Sequence, residues 1–212
     1  HQVRNPLASI TNAASVIERR LEAGMTEEAA LALSIIKEEV LAANRIISDL
    51  LEYARVRPAR PMHVALGELV DSAFDAQALP PGVALVREVP EDLTLLVDGD
   101  QLRTALRNVV RNALEAMPKG GTLTIAAERR EGVVQIRVRD TGEGVPVALR
   151  EQMFDPLVSS KPFGLGLGLP TAQALIENQG GSLRCTSGGV GGTELVIELP
   201  PAPPTGDDPG RP

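Results

Sequence analysis

The chain has 212 residues, enough for one domain or two small ones with a sizeable core. Its net charge of −7 argues against a nucleic-acid surface, and its single cysteine, Cys185, excludes an internal disulfide and fits a reducing, cytoplasmic setting. No apolar run approaches the roughly 20 residues that span a bilayer, and the start at His1, within helical-looking sequence and without an initiating methionine, leads us to expect a fragment of a longer protein, with any sensor or anchor outside it.

Residues 1–57 read as a helical hairpin. In its first helix Leu7, Ile10, Ala14, Ile17 and Leu21 step by three and four, and in its second Leu33, Ile36, Val40, Ala43, Ile47, Leu50 and Ala54 do the same, which makes a heptad seam. Between them Gly24 suits a helix stop, Thr26 an N-cap, and Glu27 and Glu28 the first turn of the second helix. Two helices alone bury too little, so the seam is covered either by the rest of the chain or by a second copy; a homodimer completing a four-helix bundle is expected. RVRPARP (55–61) then breaks the pattern with prolines and arginines, and residues 58–61 are assigned to a linker.

A second domain is expected over 62–199. Its signals give helices at 66–77, 101–117 and 169–178, and strands at 84–89, 93–97, 122–128, 133–139, 182–186 and 194–199. Helices mixed with late, hairpin-like strand pairs point to an α/β sandwich, one mixed sheet with helices on one face. The Pro-rich end, 200–212, has no apolar periodicity and is expected to be disordered.

Within that domain the helix QLRTALRNVVRNALEAM (101–117) has Leu102, Leu106, Val109 and Ala113 as its apolar stripe, with Asn108, Asn112 and Glu115 on another face. Asparagine is a poor helix-interior residue, so these two are either a solvated face or ligands; a carboxamide oxygen suits Mg²⁺, and Arg111 beside it suits phosphate. Asp140 ends an alternating strand, and its carboxylate can accept from an exocyclic amine such as that of adenine, while Gly142 and Gly144 let the backbone approach a flat ligand. Gly164, Gly166 and Gly168 then open a helix, whose free N–H groups and positive dipole end suit phosphate.

These stretches together resemble the ATP-binding catalytic domain of histidine protein kinases, within the GHKL (Bergerat-fold) ATPases. NVVRNALEA resembles that family's N box, DTGEGVP its first glycine box, MFDPLVSSK its F box, GLGLGL its second glycine box and GGTELVIELP its closing strand. The resemblance implies that Asn112 is the magnesium ligand with Asn108 close by, that Asp140 reads adenine with help from Thr193, and that residues 145–163 form a mobile lid with Lys161 near phosphate.

HQVRNPLASI at the start resembles the same family's H box, which implies that His1 is the phosphoacceptor of a dimerisation and phosphotransfer hairpin. A neutral imidazole is a competent nucleophile near pH 7. The family usually places Glu or Asp directly after the histidine; Gln2 can orient the ring but cannot take its proton, and loss of a general base costs about two to four orders of magnitude in rate. Asn5 matches the position at which the family places Thr or Asn to orient water for dephosphorylating the partner. His63 is expected to be structural. The implied function is ATP- and Mg²⁺-dependent autophosphorylation of His1, then transfer to an aspartate of a response-regulator receiver domain; the alternative is a nucleotide-binding docking module with little autokinase activity. No nucleic-acid partner and no direct membrane contact are expected for this stretch.

Overall fold

The computed structural model describes residues 27–54, 56–74, 79–130, 132–159, 165–189 and 191–200. The first helix of the expected hairpin, its turn and the tail beyond residue 200 lie outside them. The chain divides into two compact units, His1–Arg55 with Lys161–Leu165, and Val56–Ser160 with Gly166–Pro212.

In the first unit the described element is one long helix, α1 (Glu27–Ala54). Its heptad seam consists of two lines, each repeating every seven residues. Leu33 and Val40, on one line, are buried, whereas Ile36 and Leu50, on the other, remain 44% and 46% exposed. No helix among the described residues is long and apolar enough to cross a membrane.

The second unit runs β1 (Met62–Ala65), α2 (Leu66–Phe74), β2 (Val83–Glu88), β3 (Thr94–Val97), α3 (Gly99–Glu115), β4 (Gly121–Arg130), β5 (Val133–Asp140), a short 3₁₀ turn, α4 (Gly168–Glu177), β6 (Ser182–Gly189) and β7 (Gly192–Leu199). Five strands form one sheet in the order β2-β4-β5-β7-β6, with β2 parallel to β4 and every other pair antiparallel. Strand alternation sets its faces: Leu123, Ile125, Val134, Ile136, Val138, Leu195, Ile197 and Leu199 point into a core closed by Leu66, Leu69 and Val70 of α2, Leu102, Leu106 and Val109 of α3, and Ala172, Leu175 and Ile176 of α4. The opposite face is polar and paired, Arg137 with Glu128, and Gln135 and Arg184 with Glu198. The bond from Arg137 holds the Glu128 carboxyl below its ordinary range. The helices therefore occupy one face, as the sequence implied.

One detail departs from a single mixed sheet. The segments 62–65 and 94–97 form a separate antiparallel pair, with Met62 opposite Val97 and His63 opposite Leu96. Pro90 cannot donate to a ladder and the chain turns at it, Leu93 N–H reaching its carbonyl at 3.4 Å, so the following strand leaves the main sheet.

Candidate nucleotide-binding site

Helix α3 supplies the first side of the site. Asp98 caps it from an extended backbone, its Oδ1 accepting from Gln101 N–H at 3.1 Å. The apolar stripe anchors the helix on the sheet, and the periodicity that buries Leu102, Leu106 and Val109 places Asn108 and Asn112 one turn apart on a neighbouring face. Asn108 is buried and its Oδ1 accepts from Arg111 Nη2 at 3.0 Å; Asn112 is half-buried.

The second side is the end of β5. Asp140 is only 3% exposed, and its Oδ1 accepts from Gly142 N–H at 2.8 Å and from Thr193 N–H at 3.2 Å. A carboxylate out of water is costly unless it is hydrogen-bonded, and these amides meet part of that cost while fixing its direction. The two sides are stitched together at the C-terminal end of α3. Glu143 N–H donates to the Ala116 carbonyl at 3.1 Å, and Gly142 sits so close to that carbonyl that any Cβ would overlap it. Thr141 contributes as well, Oγ1 accepting from Thr122 N–H at 2.9 Å and lying against the Met117 sulfur.

The third side is the start of α4. Gly144 and Gly166 have φ of 73° and 67°, and the Gly166 carbonyl accepts from the N–H of Leu157, itself at φ 67°. Gly168 opens α4 without a side-chain cap at Leu167, and a Cβ there would lie 3.3 Å from Arg111 Nη2 and 3.8 Å from Asn108 Oδ1. The structure thus brings Asn108, Arg111 and Gly168 into one cluster, and Asp140, Gly142 and Thr193 into another. Lys161, Gly164, His1, Gln2 and Asn5 lie outside the described residues.

Thr193, which the resemblance named beside Asp140, acts through its backbone N–H rather than its side chain. Sequence reasoning missed two contributors. Gly192 is required because a Cβ at its φ of 111° would strike the Asp140 carbonyl. Thr141, between Asp140 and Gly142, was the one with a readable signal, a hydroxyl between the carboxylate and the first glycine.

A buried carboxylate between backbone donors, two asparagines one turn apart on α3, a guanidinium and a glycine-started helix make up the polar groups of this site. Residues 97–203 match the family described as histidine kinase-, DNA gyrase B-, and HSP90-like ATPase, and residues 1–59 match the His Kinase A (phospho-acceptor) domain. The chain is 31% identical over 223 residues to the sensory histidine kinase/phosphatase NtrB of Proteus hauseri, covering 94% of this chain and 60% of that protein. The solved structure of full-length ShkA in complex with AMPPNP superposes with a TM-score of 0.76 at 25% identity, over 95% of this chain and 44% of that one. A complex of the histidine kinase ThkA with the response regulator TrrA shares the fold, with a TM-score of 0.69 at 22% identity over 95% of this chain and 60% of that one. The chain spans about half the length of the curated relatives it matches. With an acceptor domain followed by an ATPase domain built around this cradle, the chain belongs to the histidine protein kinases.

Proposed function

We propose that this chain is the cytoplasmic kinase core of a two-component sensor, in which residues 1–57 form the dimerisation and phosphoacceptor hairpin, 58–61 a linker, 62–199 the ATP-binding catalytic domain and 200–212 a tail. ATP is the substrate. Asp140 accepts from the adenine amine, Thr193 and Gly142 hold that carboxylate by their amides, and Arg111 with the start of α4 meets the phosphates. Asn112 and the nucleotide's own phosphates would hold Mg²⁺, an ion that binds through few protein oxygens and accepts a carboxamide oxygen. When bound, the ion neutralises charge on the phosphates.

The ring nitrogen of His1 forms the new bond to the γ-phosphorus as the bridging bond breaks and ADP leaves; the imidazole proton goes to solvent, because the Gln2 carboxamide cannot accept it. The phosphoryl group then passes to an aspartate of a receiver domain, in keeping with the kinase–regulator complex of ThkA. Asn5 would orient a water that hydrolyses the regulator's aspartyl phosphate to free aspartate and inorganic phosphate, and NtrB bears the name of a kinase/phosphatase. A homodimer through the hairpin is the working assembly. The observation that carries the reading is the buried Asp140 carboxylate locked by Gly142 and Thr193 beside the asparagine helix.

Incubation with γ-labelled ATP and Mg²⁺ tests it. Acid-labile, base-stable label on the protein, absent from both His1→Ala and Asp140→Ala, is the expected result; nucleotide binding without label would overturn it.

A further inference from the structure

Helix α3 buries two polar side chains besides its apolar stripe, Gln101 in its first turn and Asn108 in its middle. Asn108 is 2% exposed, a costly place for a carboxamide unless its bonds are made, and an aliphatic residue there would simply extend the stripe. Its Oδ1 accepts from Arg111 Nη2 at 3.0 Å, three residues further along the same helix. Long side chains on a helix lean back towards its N-terminus, which is how Arg111 reaches Asn108.

The nitrogen that Asn108 holds also lies against the start of α4. A Cβ on Gly168 would sit 3.3 Å from Arg111 Nη2 and 3.8 Å from Asn108 Oδ1, so the glycine leaves the room that the pair needs. The first turn of α4 presents the Gly168 and Leu169 amides, Pro170 having none, and the positive end of the helix dipole. A guanidinium and a helix start therefore converge on one spot, and a polyphosphate is the partner that both favour. An arginine held at one nitrogen keeps its other donors in a fixed fork, ready for such a partner.

We propose that Asn108 is a positioning residue for nucleotide binding: it acts through Arg111, holding the guanidinium against the start of α4 for the phosphates of ATP, and leaves Mg²⁺ to Asn112. A carboxamide oxygen already bonded to one cation is a poor ligand for a second, because the two cations repel. Anchoring the guanidinium beforehand removes ordering that binding would otherwise have to supply. The two asparagines of α3, identical side chains one turn apart, thus have separate duties. This rests on the ATP-binding reading above.

The test uses the full chain with Asn108→Ala, Arg111→Ala and both together, and measures by calorimetry the affinity for ATP, with Mg²⁺ and with a chelator, and for adenosine. Expected is ATP binding about fivefold to tenfold weaker in Asn108→Ala and about 10- to 100-fold weaker in Arg111→Ala, with the double variant matching Arg111→Ala within about twofold. Adenosine, which has no phosphate, keeps its affinity in all three, as it would not if Asn108 served packing alone, and the Asn108→Ala loss is the same with and without Mg²⁺. Unchanged ATP affinity in Asn108→Ala, losses that multiply in the double variant, an equal fall in adenosine affinity, or a deficit that vanishes with the metal would each overturn the proposal. Should Asn108→Ala fail to fold, Asn108→Ser, too short to keep the bond to Arg111, takes its place under the same expectations. An unaltered chain that binds no ATP overturns the ATP-binding reading and this one with it, whereas losses that multiply in a chain that does bind ATP overturn this one alone.

Discussion

At Asp140 a single side chain joins two parts of the sequence that are far apart: its own strand end, with the glycine two residues on, and the Thr193 amide from β7. Removing the carboxylate orphans both amides and deletes the acceptor for an exocyclic amine. With charge-assisted bonds contributing roughly 1.5–3 kcal/mol, Asp140→Ala is expected to weaken ATP-analogue binding by about 10- to 150-fold, read by fluorescence titration. Gly192→Ala acts on the same corner sterically, since its Cβ would meet the Asp140 carbonyl; it is expected to lower both nucleotide affinity and thermal stability, whereas a change at Gly132, with open space around it, should leave affinity intact. At the acceptor, Gln2→Glu restores a group able to take the imidazole proton, and the initial rate of label incorporation is expected to rise by about 100-fold at pH 7. An unchanged rate would show that proton removal is not limiting.

At the level of elements, α3 is the part on which the cradle depends, and its first residue of cap is ionisable. Burial pushes the Asp98 carboxyl up, but the N–H bonds from Arg60 and Gln101 and the nearby Arg57 charge outweigh it, so the group stays below its ordinary value of 3.8. A carboxylate lowered on folding contributes stability that is present above its unfolded value and is lost as pH falls through the folded one. Melting temperature is therefore expected to drop on acidification below about pH 3.8, and Asp98→Asn, which still caps, should lose less on the same titration. In the same helix Leu106 is 1% exposed, and Leu106→Ala is expected to cost about 2–5 kcal/mol in denaturant unfolding. The strongly periodic elements were legible in the sequence: α3 and α4 lie within two residues of their expected ends because apolar spacing and capping agree there. The β1–β3 pairing was not, since four-residue strands carry too little alternation to name a partner. The resemblance named Thr193 as the helper of Asp140, but that the help comes through a backbone amide is something no side-chain pattern encodes.

For the molecule as a whole, the unfinished surface is on α1. Its two heptad lines behave differently: Leu33 and Val40 are covered within one chain, while Ile36 and Leu50 stay nearly half exposed. An apolar line left open along a long helix, in a chain that carries a phospho-acceptor domain match over 1–59, is what a partner helix covers in a bundle. Covering a half-exposed Ile or Leu contributes about 1 kcal/mol, so the four side chains of a symmetric pair contribute about 4 kcal/mol, near 10³ in dissociation constant. Ile36→Lys with Leu50→Lys is therefore expected to shift the chain from dimer to monomer in sedimentation equilibrium, while nucleotide affinity of the second unit stays unchanged because its core shares no residue with α1. Label transfer by the monomeric variant then separates the two routes to His1. Transfer that survives at full rate is intramolecular, and transfer that falls with dilution requires the partner chain.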